Sequence, residues 1–146
     1  MTSAPRAFEI STPITIRTYD IDFANIVSNI VYLRWLEDMR LMWLEDFMPL
    51  QPMVERKHGP VLMATNIEYK RPLRMFDPVI GHMWLADLGR TRYTIAAEFT
   101  LHGEVTTTAT QHGVFVDFTT MRPLPIPETM RLKFLEVSGQ SGNSTA

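Results

Sequence analysis

Between Asn29 and Phe47 the chain reads NIVYLRWLEDMRLMWLEDF, and no other stretch limits the possible folds as much. At about 100° per residue, Tyr32, Leu33, Met39, Trp43, Leu44 and Phe47 fall within about 80° of Leu36 on a helical wheel. Arg34, Asp38 and Glu45 lie opposite, while Trp35, Met42 and Met48 widen the apolar arc. The polar face is therefore narrow, and a helix this apolar must be enclosed rather than laid on a surface. Arg40 sits about 40° from the centre of the apolar face, so it must snorkel outward or meet a carboxylate. Ser28 or Asn29 can cap the start, and Pro49 and Pro52 are expected to stop the helix.

Just ahead of the helix, in the loop Asp20 to Ser28, stand two acids, Asp20 and Asp22. A helix N-terminus carries about half a positive charge and several free N–H groups. A carboxylate there is kept ionised, and a ligand oxygen nearby meets backbone donors. An acid that only complements the dipole would look the same in the sequence.

The rest of the chain reads as strands. Residues 1–11 are expected to form a loose arm, and Pro13 to Tyr19 alternates as a half-buried strand. Residues 49–60 read as a connection. Strands are then expected over Val61 to Arg71, Val79 to Ala86, Thr91 to Leu101 and Glu104 to Phe118, with His102-Gly103 as a hairpin turn. Hairpin-length turns make these four antiparallel neighbours. A short helix is expected from Pro127 to Val137. The polar segment 138–146, SGQSGNSTA, reads as a disordered tail after a single domain spanning 1–137. One long apolar helix against a curled antiparallel sheet is an α+β solution. It leaves an edge strand able to pair with another subunit.

The composition narrows the function. The formal net charge of −2, with both signs interspersed, lacks the basic stripe of a nucleic-acid binder. No cysteine is present, so disulfides and thiolate metal sites are excluded. No apolar run is long enough to span a bilayer. The N-terminal residues lack the apolar core of a signal peptide, and a cytoplasmic location is expected.

Asp22 lies ten residues before Tyr32, and Trp35 and Arg40 follow along the helix. Farther on come Gly59 before a strand, Glu68-Tyr69-Lys70-Arg71-Pro72-Leu73, Asp77-Pro78-Val79 and Gly89-Arg90-Thr91-Arg92. Val116-Asp117, Arg122-Pro123 and Ile126-Pro127-Glu128 close the series. In this order, across nearly the whole chain, these segments resemble the hotdog-fold acyl-CoA thioesterases of the 4-hydroxybenzoyl-CoA thioesterase type. The resemblance implies a long central helix wrapped by a curved antiparallel sheet. It implies a homo-oligomer, a dimer at least and often a tetramer. It implies no metal or organic cofactor, with coenzyme A entering only as part of the substrate.

By the same resemblance Asp22 is the catalytic acid, acting on a thioester carbonyl as nucleophile or general base, and Asp20 is a companion. Gly59 matches the position whose amide approaches the thioester oxygen, although it would also suit an ordinary turn. His58 could donate beside it or protonate the leaving thiolate, or simply be a solvated loop residue. Asn25 and Asn29 could orient water or the carbonyl, with helix capping the alternative for Asn29. Many relatives have Gly at the Asn25 position and a His or Tyr near Ser28 or Asn29; this chain has none at the helix start. Tyr32 could line the acyl pocket or belong to the core. Arg90 and Arg92 could meet coenzyme A phosphates or be solvated. Arg40 fits a buried structural network.

The expected reaction is hydrolysis of an acyl-CoA. Hydrolysis of an acyl carrier protein thioester and non-catalytic acyl-CoA binding are the alternatives. A hydratase needs a His paired with a carboxylate to move protons at carbon, and no His lies near the Asp22 loop or on the helix.

Overall fold

The computed structural model describes residues 6–143, with side chains as far as Ser138. In chain order come β1 (Ala7–Ile14), a 3-10 turn (Thr18–Asp20), α1 (Asn29–Phe47), α2 (Leu50–Arg56), β2 (His58–Tyr69), β3 (Val79–Leu88), β4 (Arg92–Leu101), β5 (Glu104–Asp117) and α3 (Glu128–Asn143). The strands form one antiparallel sheet in the order β1-β3-β4-β5-β2, and α1 packs on its inner face. This is the hotdog arrangement, a long helix held in a curved sheet.

Along α1, Val31, Tyr32, Trp35, Leu36, Met39, Trp43 and Leu44 are buried. They meet the inward side chains of the strands, which alternate with outward ones as a one-sided sheet requires. The Tyr32 and Trp35 rings lie 5.6 and 5.5 Å from Phe99. Gly81 lets the helix come close, since a Cβ there would lie 2.7 Å from Met39 Sδ. Arg40 meets a carboxylate, as expected, and also a buried amide that the sequence reading did not foresee. It donates to Glu37 Oε1 at 2.5 Å and to Gln111 Oε1 at 3.2 Å, and Gln111 donates on to Thr65.

Several expectations need correction. The N-terminal arm is not loose from residue 7 on. The first strand is Ala7–Ile14 and pairs with β3, whereas Thr18–Asp20 curls into the 3-10 turn. A register shift between Ala7 and Ile10, with Phe8 at a φ of 54°, breaks the alternation that would have revealed the strand. Phe8 packs on Trp43 and Phe47, and its carbonyl accepts the Trp43 Nε1–H at 2.8 Å. The connection after α1 contains a helix, because Pro52 falls in the first turn of α2, where a missing N–H costs nothing.

The four later strands are not all neighbours. β2 lies at an edge and pairs with β5, while β3 sits between β1 and β4. The connection 70–78 crosses the sheet at the end where α1 begins, and Leu73, fully buried there, accepts the Val27 N–H through its carbonyl. The last helix continues through 138–143, part of the segment read as a disordered tail, because propagating a formed helix needs only one bond per residue. Residues 144–146 lie outside the described residues. Finally, this chain's own sheet does not fully enclose α1, and Ile30, Leu33, Leu41 and Met42 remain exposed.

The candidate active site

Asp22 stands on a small hairpin between the sheet and α1. Ile21 bridges Val27, the Asp22 N–H donates to the Ile26 carbonyl, and the Asn25 N–H donates back to the Asp22 carbonyl at 3.0 Å. Oδ1 of Asp22 accepts the Ala24 N–H at 2.8 Å, so the side chain is tied to its own turn. Its other oxygen has no hydrogen-bond partner among the described residues. Asp20, 4 % exposed, accepts the Arg17 N–H through Oδ2 and the Ser28 N–H through its carbonyl, each at 2.8 Å. It clasps the end of the strand to the start of the helix, a supporting position.

Asn25 has a φ of 64°, a left-handed backbone that Gly and Asn adopt most readily. Glycine would adopt the same backbone without strain. Asn25→Gly is expected to keep stability within about 0.5 kcal/mol, whereas Asn25→Val should cost about 1–2 kcal/mol. Chemical denaturation of the two variants checks this.

Ser28, not Asn29, flanks the helix as its N-cap residue, and it makes no side-chain capping bond. Asn29 is the first helical residue, and its carbonyl accepts the Tyr69 hydroxyl at 3.1 Å. Tyr32 is core, 2 % exposed, its ring edge-on to Trp35, Tyr69 and Phe99. Burial pushes its phenol upward, against a hydrogen bond with Thr107.

The other four residues lie at the opposite end of the sheet. His58 and Gly59 open β2 opposite Asp117 and Val116, Arg92 opens β4, and Arg90 lies in the turn just before it. Both arginines are exposed. The twelve residues of β2 separate His58 from Tyr69, which touches the helix start, by roughly 36 Å. One chain therefore gathers Asp22, Asn25, Asn29 and Tyr32 at one end and His58, Gly59, Arg90 and Arg92 at the other.

The register also decides which amide is available. The Phe118 N–H donates to the Lys57 carbonyl, and the Asp117 N–H turns away to Arg122. His58 and Asp117 are thus a non-hydrogen-bonded pair, so the Gly59 N–H faces Val116 on β5 and the His58 N–H faces the free edge. A Cβ on Gly59 would lie 2.6 Å from Phe118 Cζ, so the exposed Phe118 ring packs directly over the glycine and would have to turn aside for a side chain there.

Beneath this end lies a cavity of about 40 Å³, walled by Arg40, Trp43, Pro60, Tyr93, Phe115 and Ile126. Burial pushes the Tyr93 phenol up to about 12, with Arg40 pulling the other way, so it remains an O–H donor. Two residues beyond Pro60 and Phe115 along their strands, the His58 Nε2 lies 3.7 Å from Asp117 Oδ2. Sequence reasoning passed over Asp117. The run Asp117-Phe-Thr-Thr carries a turn signal, but its meeting with His58 depends on strand register. Among the described residues no cluster of three His, Cys, Asp or Glu could hold a metal, and no helix is long and apolar enough to cross a membrane.

A long central helix wrapped by a curved antiparallel sheet is the hotdog fold of thioester hydrolases. The family model of the thioesterase-like superfamily matches residues 16–134, and the chain belongs to that superfamily. It is similar to the long-chain acyl-CoA thioesterase FadM of Escherichia coli, 29 % identical over 85 % of this chain and 96 % of that one. The crystal structure of the probable thioesterase YbaW of Escherichia coli covers 85 % of this chain and 95 % of its own, with a TM-score of 0.75 and 28 % identity. The DHNA-CoA thioesterase of Staphylococcus aureus, 18 % identical over 93 % of this chain and 95 % of its own, shares the fold at a TM-score of 0.82.

Proposed function

We propose that the protein hydrolyses acyl-coenzyme A thioesters in a site built from two copies of the chain, with Asp22 as nucleophile or general base. The tether of Asp22 carries this proposal, because one oxygen is fixed by its own turn while the other stays open to water or a carbonyl. A thioester is already activated, so a positioned carboxylate suffices to attack it or to deprotonate a water. The oxyanion that forms needs an N–H donor, and the His58 N–H suits it where pairing of the two β2 edges through their middles leaves this first residue of the strand unpaired. Arg90 and Arg92 would meet the phosphates of coenzyme A. The acyl group would enter beside Pro60 toward the apolar cavity. No metal or organic cofactor takes part.

The second copy supplies the missing half. β2 is a twelve-residue edge with exposed Met63 near its middle, and Leu33 lies within about 20° of Arg40 on the side of α1 facing that edge. Antiparallel pairing of two such edges would set His58 and Gly59 beside the partner's Asp22 and cover both apolar residues. Two of these dimers would form the tetramer. A cytoplasmic location follows on the same reading, since acyl-CoA substrates are held there.

The chain has no cysteine, so a thiol reagent reports released coenzyme A without background from the protein. Turnover is expected on at least one member of a panel of aryl-, short- and long-chain acyl-CoA, with an enoyl-CoA included to read hydration separately. No thiol release across the panel, or water addition alone, would reject the hydrolase.

A further inference from the structure

We propose that Asp117 is a positioning residue for His58, and that His58 hands its proton to the departing thiolate. The inference rests on the composite site described above. His58 and Asp117 face each other across β2 and β5 as a non-hydrogen-bonded pair, the register in which opposed side chains come closest. Both point to the side of the sheet that carries Pro60 and Phe115, two residues along each strand, and these wall the apolar cavity. The pair therefore stands two residues beyond the cavity wall on each strand, on the strand end that would face the partner's Asp22.

The carboxylate is held rather than loose. Oδ1 of Asp117 accepts the Thr119 N–H at 2.7 Å and the Thr120 N–H at 3.1 Å, which leaves Oδ2 facing His58 Nε2 at 3.7 Å. The Thr120 and Thr119 amides hold the Asp117 carboxyl below its usual range, with His58 and Lys57 adding to the effect. Those two are the charged groups acting on it at this corner. An ion pair left open to solvent stabilises a fold very little. In the proposed role the pinned carboxylate, 3.7 Å from the ring, draws Nε2–H toward itself by charge and leaves Nδ1 free to serve the leaving group.

Asp22 takes a proton from water as the new C–O bond forms at the carbonyl. The tetrahedral intermediate collapses, the C–S bond breaks and sulfur keeps the electron pair. The proton on His58 Nδ1 moves to sulfur, which leaves as a neutral thiol. Solvent then carries the proton from Asp22 back to His58.

The test compares two esters of one acyl group, a coenzyme A thioester and a thiophenol ester, whose weakly basic thiolate departs without a proton. On the coenzyme A ester His58→Gln is expected to lower kcat about 10- to 100-fold. Asp117→Asn, which still accepts both turn amides, should lower it several-fold, with KM within about twofold in each variant. On the thiophenol ester both variants should run within about threefold of wild type. Equal losses on both esters, or no loss on the coenzyme A ester, would overturn the proton transfer while leaving hydrolysis by Asp22 standing. Failure of the wild type on both esters would instead remove the hydrolase, and this inference with it.

Discussion

Asp22→Asn is expected to lower kcat about 10²- to 10⁴-fold on any acyl-CoA that the wild type turns over, with little change in KM. An amide oxygen can still accept the Ala24 N–H, so the turn and its bridge to Val27 persist. What is lost is the negative charge and the basicity of the open oxygen. Thermal unfolding should therefore stay within a few degrees of wild type while turnover collapses. Asp20→Asn should behave in the opposite way. Asp20 is buried and clasps Arg17 to Ser28, so weakening its charge-assisted bond to the Arg17 amide should cost about 1–3 kcal/mol. Its effect on turnover should be smaller than that of Asp22→Asn. Steady-state thiol release and calorimetry on both variants separate the two roles. Wild-type turnover by Asp22→Asn would remove Asp22 from the chemistry.

Met63→Glu is expected to split the oligomer and abolish most activity, although Met63 is 70 % exposed in the single chain. Near the middle of two antiparallel β2 edges, the new carboxylates would face each other across the two-fold axis, and like charges in such a pairing are destabilising. Light scattering should then show a monomer at concentrations where wild type is a dimer or tetramer. Turnover should fall about 100-fold or more, because Asp22 and His58 of one chain lie near opposite ends of β2 and cannot serve one substrate. Circular dichroism of the monomer should keep the α+β signature. A monomeric wild type with full activity, or an active monomeric variant, would exclude the composite site.

These two outcomes draw on different information. The charge and position of Asp22 are written in the chain, ahead of a helix, Asn29–Phe47, whose length follows from a long apolar arc and whose end follows from Pro49. The hairpin His102-Gly103 was equally legible, with φ values of 51° and 81°, because turn chemistry is local. Local signals failed where the pattern is interrupted. The bulge at Phe8 hid the first strand, and Pro52 concealed a helix whose first turn tolerates it. The order of strands was beyond local reading altogether. A nine-residue connection can form a loose hairpin or cross the sheet, and burial of Leu73 chooses the crossing.

For the site the division is similar. The sequence by itself determined the fold class, the enclosed helix and the acid at its start, because periodicity and capping act over a few residues. The left-handed backbone of Asn25 emerged only in the folded turn. Only the tertiary structure decided that β2 is an edge, that the Gly59 amide is taken by Val116, and that Asp117 meets His58. Each of these depends on strand register between distant segments. A shift of one residue reverses which groups face the neighbouring strand and which face outward, and core packing of the whole sheet sets that register.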